Sequence, residues 1–121
     1  MYIYPMQLSA KAIGQILQHA EKRGQPLPGY VSAAVLMLLF NREGKTYVVY
    51  IRRPTGMRLH SGNMAFPGGK IDPEDASSYA AAVRETREEI GVGEDQFVYI
   101  GEMGFFETLT SGYDAAVHVA W

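Results

Sequence analysis

The chain reads as a single domain that combines helices and strands, on three observations. Two stretches carry helical periodicity, four apolar or β-branched runs have the length and composition of strands, and 121 residues leave room for one hydrophobic core only. Hydrophobic residues at 47% and charged residues at 20% are ordinary for a globular protein and exclude a disordered or fibrous chain. The first helix starts at Ser9, a capping residue. Its apolar positions Ile13, Ile16, Leu17 and Ala20 recur at helical spacing, and Gly24 stands just past its end. After the breaker QPLPG, Val31 to Phe40 suits a strand buried on both faces. Asn41 to Gly44 supplies turn residues, with Gly44 able to take positive φ, and Thr46 to Ile51 is β-branched and aromatic, so the two runs predict a hairpin.

Arg52 to Gly69 is irregular and rich in Pro and Gly, a loop long enough to be functional. Asp72-Pro73-Glu74-Asp75 has the pattern of a helix start, Asp72 as the cap and Pro73 in the first turn; the helix is expected to run to about Ile90 and close at Gly91. Phe97 to Glu102 and Ala115 to Trp121 complete the strands.

A net charge of -2 gives no basic footprint for nucleic acid or an anionic membrane, which favours a small-molecule ligand. Without cysteine there is no disulfide frame and no thiolate metal site. The N-terminus lacks the pattern of a signal peptide, and Val31 to Phe40 is too short to span a bilayer, so a cytoplasmic protein is the default expectation.

The chemistry concentrates in the second helix. Glu85, Glu88 and Glu89 are spaced i, i+3, i+4 and fall within an arc of about 100°. Tyr79, Val83, Thr86 and Ile90 occupy the roughly opposite face. Carboxylates so placed repel by about 0.2–0.5 kcal/mol per pair, a cost that a hard cation removes, which points to Mg²⁺ or Mn²⁺. Taken alone, the same pattern also fits a solvated acidic face paired with Arg84 and Arg87. The preceding Phe66-Pro67-Gly68-Gly69-Lys70 shifts the balance, because paired glycines allow backbone to approach a ligand closely; an isolated Gly-Gly would be a plain turn.

Gly69 to Val92 resembles the Nudix box, G-x5-E-x7-R-E-U-x-E-E-x-G-U with U aliphatic. Arg84, Glu85, Glu88, Glu89, Gly91 and Val92 stand at the family's positions. The first half departs: Asp75 takes the place of the first Glu, eight residues instead of seven precede Arg84, and Thr86 replaces an aliphatic residue. Arg52-Arg53-Pro54, Arg58, Gly62 and Phe66 to Gly69 are similar to the coenzyme A pyrophosphatase signature R-[SA]-x3-R-x3-G-x3-F-P-G-G, except at Pro54. That subgroup also carries the D-P-x-D turn and the longer spacing. Thr108 to Tyr113 is a short match to a segment found after the box in the same enzymes.

The resemblance implies an α+β fold, an α/β/α sandwich with a mixed sheet flanked by helices, and a Mg²⁺-dependent pyrophosphohydrolase. Its metal ligands would be Glu85 and Glu89, Glu88 directly or through water, and the Gly68 carbonyl, with Arg84 orienting Glu88. Coenzyme A or acyl-CoA would yield 3′,5′-ADP and a phosphopantetheine fragment. Two other readings stand beside it: a Nudix hydrolase of ADP-ribose or another nucleotide, and a Nudix-fold module that binds without turnover. The base that takes the water's proton is Glu88, Glu89 or a group on a later loop. Candidate substrate contacts are Arg53, Arg58, Gly69 and Lys70; each charged one also fits a solvated side chain. His60 lies at a variable position of the signature, His19 and His118 read as structural or exposed, and Phe66 reads as a packing anchor rather than a base-stacking platform. Because family domains continue through a further strand and helix, residues 1–121 are expected to be a domain shortened at its C-terminus, or one completed by a second copy in a homodimer.

Overall fold

In the computed structural model, the described residues are 8–23, 27–52, 64–107 and 112–121. They build a mixed sheet with one helix packed on each face. Helix α1 spans Ala10–His19, and the Ser9 hydroxyl accepts from the Ala12 N–H at 3.1 Å. Strand β1, Val31–Arg42, is the axis of the fold. It pairs antiparallel with β2, Lys45–Val48, and with β5, Gly68–Lys70, along one edge, and parallel with β7, Tyr113–Ala120, along the other. Strand β6, Tyr99–Glu107, lies antiparallel outside β7. The short strands β3, Ile51–Arg52, and β4, Met64–Ala65, form a separate ladder. Helix α2 spans Ser78–Ile90, and a single 3-10 turn comes after it at Glu94–Gln96.

Alternation along β1 sends successive side chains into two cores. Ala34, Leu36 and Leu38 meet Ala81 and Ala82 of α2, together with Phe97 and Ala120. Leu39 meets Ile13 and Leu17 of α1, with Val119 beside them. The α/β/α sandwich expected from the resemblance is therefore present. Four alanines, Ala34, Ala81, Ala82 and Ala120, are fully buried at the α2 contact, and such small side chains let helix and sheet backbones approach closely.

Several local expectations differ from the structure. The hairpin turn is the two-residue Glu43-Gly44, with positive φ at both residues, so Glu43 shares the conformation expected of Gly44 alone. Helix α1 ends at an extended Ala20, and Ile16 is 64% exposed, because only the Ile13 and Leu17 side of the helix reaches the sheet. Gly24 lies outside the described residues. Helix α2 starts at Ser78, capped by the Ser77 hydroxyl, which accepts from the Ala80 N–H at 3.0 Å. Asp72 to Asp75 is instead a closed turn: the Asp75 N–H donates to the Asp72 carbonyl at 3.0 Å, and the Asp72 N–H donates to the Asp75 carboxylate at 2.8 Å. Gly91 does close the helix, left-handed at φ 72°, its N–H donating to the Arg87 carbonyl. Among the described residues no helix is long and apolar enough to cross a membrane.

Candidate active site

Helix α2 turns Ala81, Ala82 and Thr86 into the core and leaves Glu88 and Glu89 exposed, as its periodicity requires. Thr86, the departure from the aliphatic pattern, is fully buried. Its hydroxyl donates to the Ala82 carbonyl at 2.7 Å, so the polar atom is satisfied within the helix.

The opposite face meets β5. The Gly68 N–H donates to the Glu89 carboxylate at 2.8 Å. A Cβ on Gly69 would lie 2.6 Å from the Glu85 carboxyl carbon, and a Cβ on Gly68 would lie 2.3 Å from the Ala34 carbonyl oxygen. Gly68 is thus required by its close approach to the sheet backbone, and Gly69 leaves the room that the Glu85 carboxylate occupies. The plain-turn explanation of Gly68-Gly69 is displaced by pairing: these residues stand opposite Val35 and Ala34 of β1.

Arg84 organises the remaining carboxylates. Its Nε and one terminal nitrogen both donate to Asp75 at 2.9 Å, and the same nitrogen reaches the Lys70 carbonyl at 3.3 Å. The other terminal nitrogen donates to Glu85 at 3.0 Å and Glu88 at 3.4 Å. Asp72 adds a longer ion pair at 3.3 Å. The hydrogen bond from Arg84, aided by the Asp72 N–H, holds the Asp75 carboxyl below the usual carboxylate range, and Asp75 in turn raises the Arg84 guanidinium above its ordinary value. The Asp-Pro-Glu-Asp turn therefore fastens Arg84 from the side opposite Glu85 and Glu88. Lys70 lies on β5 with an exposed side chain, while Arg53, Arg58, His60 and Gly62 lie outside the described residues, as does most of Thr108 to Tyr113.

The donor set offers only oxygen, which fits Mg²⁺ or Mn²⁺ rather than a softer metal. Among the described residues, no three acidic or histidine side chains converge tightly enough to enclose an ion as they stand. Arg84 draws Glu85 and Glu88 to one side, whereas Glu89 turns to the Gly68 N–H. Glu88 and Glu89 are exposed, and exposed side chains exchange rotamers on a picosecond to nanosecond scale, so their hydrogen bonds can give way to a cation shared with Glu85.

The NUDIX domain model matches residues 31–119. The chain belongs to the NUDIX domain family. A probable Nudix hydrolase of Schizosaccharomyces pombe is 44% identical over 68 residues, covering 56% of this chain and 24% of that protein. An uncharacterized Nudix hydrolase, NudL, of Yersinia enterocolitica is 36% identical over 94 residues, covering 74% of this chain and 47% of its own length. This Nudix chain thus spans about a quarter to a half of these curated relatives. Among solved structures, the Ap4A hydrolase of C. elegans superposes with a TM-score of 0.59 at 23% identity, covering 74% of this chain and 64% of that one. The MutT protein of Methanosarcina mazei gives 0.54 at 25% identity, covering 83% and 64%. The first of these likenesses shows the Nudix fold alone.

Two polar networks of this Nudix domain were not anticipated from its sequence. Asp114, fully buried at the start of β7, accepts from both terminal nitrogens of Arg23 and from the Leu27 N–H at 2.8 Å. His118, 2% exposed, is bonded to the Ser78 hydroxyl through Nε2 and to the Tyr99 hydroxyl through Nδ1, each at 2.8 Å. Burial pushes its pKa below the ordinary value. The expectation that His118 is structural or exposed narrows to structural: it joins the first turn of α2 to β6. A Ser one residue inside a helix and a His in an apolar strand were the only signals, and neither identifies the other as its partner.

Proposed function

We propose that this domain is a divalent-metal-dependent pyrophosphohydrolase acting on a nucleoside diphosphate derivative, with coenzyme A or an acyl-CoA as its substrate class. The observation that carries the reading is the contact of β5 with α2: the Gly68 N–H on Glu89 and Gly69 packed on Glu85 put backbone and carboxylates on one surface. Glu85, Glu88, Glu89 and the Gly68 carbonyl would hold Mg²⁺ or Mn²⁺. When bound, the ion offsets developing phosphate charge and acidifies water.

The chain's own residues supply the rest. Arg84, fixed by Asp75, keeps Glu85 and Glu88 on the side of the helix that faces β5. Glu88, on Arg84 at 3.4 Å, and Glu89, on the Gly68 N–H, are both exposed and are the two candidate acceptors of the attacking water's proton. Lys70 contributes a mobile positive charge at the end of β5, and Arg53 and Arg58 are assigned to the diphosphate on the strength of the loop signature. The same signature supports coenzyme A over other nucleotides. The C. elegans Ap4A hydrolase acts on a different nucleotide, and such substrates form the alternative within the family.

The test is hydrolysis of coenzyme A, ADP-ribose and a nucleoside triphosphate with Mg²⁺, alongside Glu89→Gln. Release of 3′,5′-ADP from coenzyme A, abolished by the substitution, is the expected result. Activity on the other substrates alone would overturn the coenzyme A assignment and keep the metal site. Turnover of none would leave a binding module. A homodimer completes the proposal, and light scattering that finds a fully active monomer removes that part of it.

A further inference from the structure

Two near-parallel aromatic stacks form among the described residues: Phe40 with Tyr47 at 5.4 Å between centroids, and Tyr50 with Phe66 at 5.0 Å, with interplanar angles of 16° and 15°. The first is a cross-strand pair, since Phe40 and Tyr47 face each other in the β1–β2 ladder. The second lies one step beyond the β3–β4 ladder, whose end pair is Ile51 and Ala65, so the same register brings Tyr50 opposite Phe66.

The two stacks differ in where the chain goes next. Tyr47 is one residue from the end of β2. Phe66 leads into the buried Pro67, whose carbonyl accepts from the Leu36 N–H at 2.8 Å, and then into Gly68, whose N–H holds Glu89. The stack is therefore anchored to the main sheet two residues from the acidic helix, and two extended residues span roughly 7 Å. Tyr50 is 50% exposed, and neither ring belongs to either core cluster. A flat π-surface held beside a phosphate-handling site matches a planar heterocycle carried on that phosphate, because stacking accepts any base and gains from area.

We propose that Tyr50, backed by Phe66, is the base-stacking platform of this site, taking the purine of the nucleoside diphosphate portion while the diphosphate lies toward Gly68 and Glu89. Phe66 then does more than anchor the loop. The assignment rests on the proposed phosphate-cleaving activity, and its test separates the two. Isothermal titration in Mg²⁺ would compare ADP with inorganic pyrophosphate, on the wild type and on Tyr50→Ala, Tyr50→Leu and Tyr50→Phe. Loss of the π-face in the first two is expected to weaken ADP about tenfold or more and leave pyrophosphate unchanged, with Tyr50→Phe retaining wild-type affinity. Should Tyr50→Ala unfold, Tyr50→Leu keeps the apolar bulk and carries the comparison. Unchanged ADP affinity, or equal loss for both ligands, would overturn the platform and spare the phosphate site. A wild type that binds neither ligand would overturn both.

Discussion

Two arginines are tied to carboxylates in this domain, and they differ in what surrounds them. Arg23 is clamped to Asp114, which is fully buried and also accepts the Leu27 N–H, and it lies over the Phe105 ring with Glu107 near enough to act on its charge. Arg84 meets four acids, Asp72, Asp75, Glu85 and Glu88, of which Asp75 is nearly buried at 7% and Glu88 open at 59%. In the first network Asp114 closes the chain on itself, joining the segment after α1 to β7. In the second, negative charge exceeds positive and one end faces solvent. A buried carboxylate clamped by a guanidinium serves the fold, whereas four carboxylates around one guanidinium leave capacity for a further cation.

If the two networks divide in this way, substitutions in them should separate activity from stability. Glu89→Gln removes a proposed ligand and is expected to lower kcat about 10²- to 10³-fold, since a metal contributes several kcal/mol to charge stabilisation, while a thermal melt stays near wild type. Arg84→Gln should cost roughly 10- to 100-fold in metal affinity, as loss of an outer partner of metal ligands does, measured by Mn²⁺ titration. Asp114→Ala should do the reverse, dropping Tm on the order of 10 °C while active enzyme below the melt keeps its kcat.

The paired glycines divide along the same line. Gly68→Ala drives a Cβ into the Ala34 carbonyl and should lower Tm; Gly69→Ala meets only the movable end of Glu85 and should lower activity more than Tm. The smallest effect concerns pH. Arg23 holds the Asp114 carboxyl below its ordinary range, so the stability it gives is present above the usual carboxylate pKa and is lost as pH falls toward the depressed value. The folded pKa of His118 is likewise depressed, so its share is present above the unfolded value of 6.5 and is lost as pH falls through the folded value. His118→Gln should flatten the stability profile below pH 6.5, monitored by denaturant melts.

Local signals made much of this domain legible in its sequence. Ser9 as a cap, Gly91 as a helix end, the apolar β1 and the shared face of Glu85, Glu88 and Glu89 each depend on residues within a few positions of one another, so a short window contains the cause. The start of α2 was misplaced because Asp72-Pro73 carries a helix-start pattern whose decisive partner, Arg84, lies nine residues past Asp75. Strand β6 runs past Glu102 to Glu107, an extent hidden in the sequence because irregularities between Tyr99 and Gly101 and between Glu102 and Gly104 break the two-residue alternation that would reveal it.

The order of residues alone was enough for the family, the acidic face and the need for glycine beside it, because spacing on a helix and the lack of a side chain are properties of the chain. Packing in three dimensions was needed to establish that Asp75 grips Arg84, that Ile16 faces solvent, and that Asp114 and His118 close on Arg23 and Ser78 from 91 and 40 residues away. Those pairings depend on how α1 and α2 sit on the sheet, and that arrangement brings together residues whose separation along the chain carries no trace of their meeting.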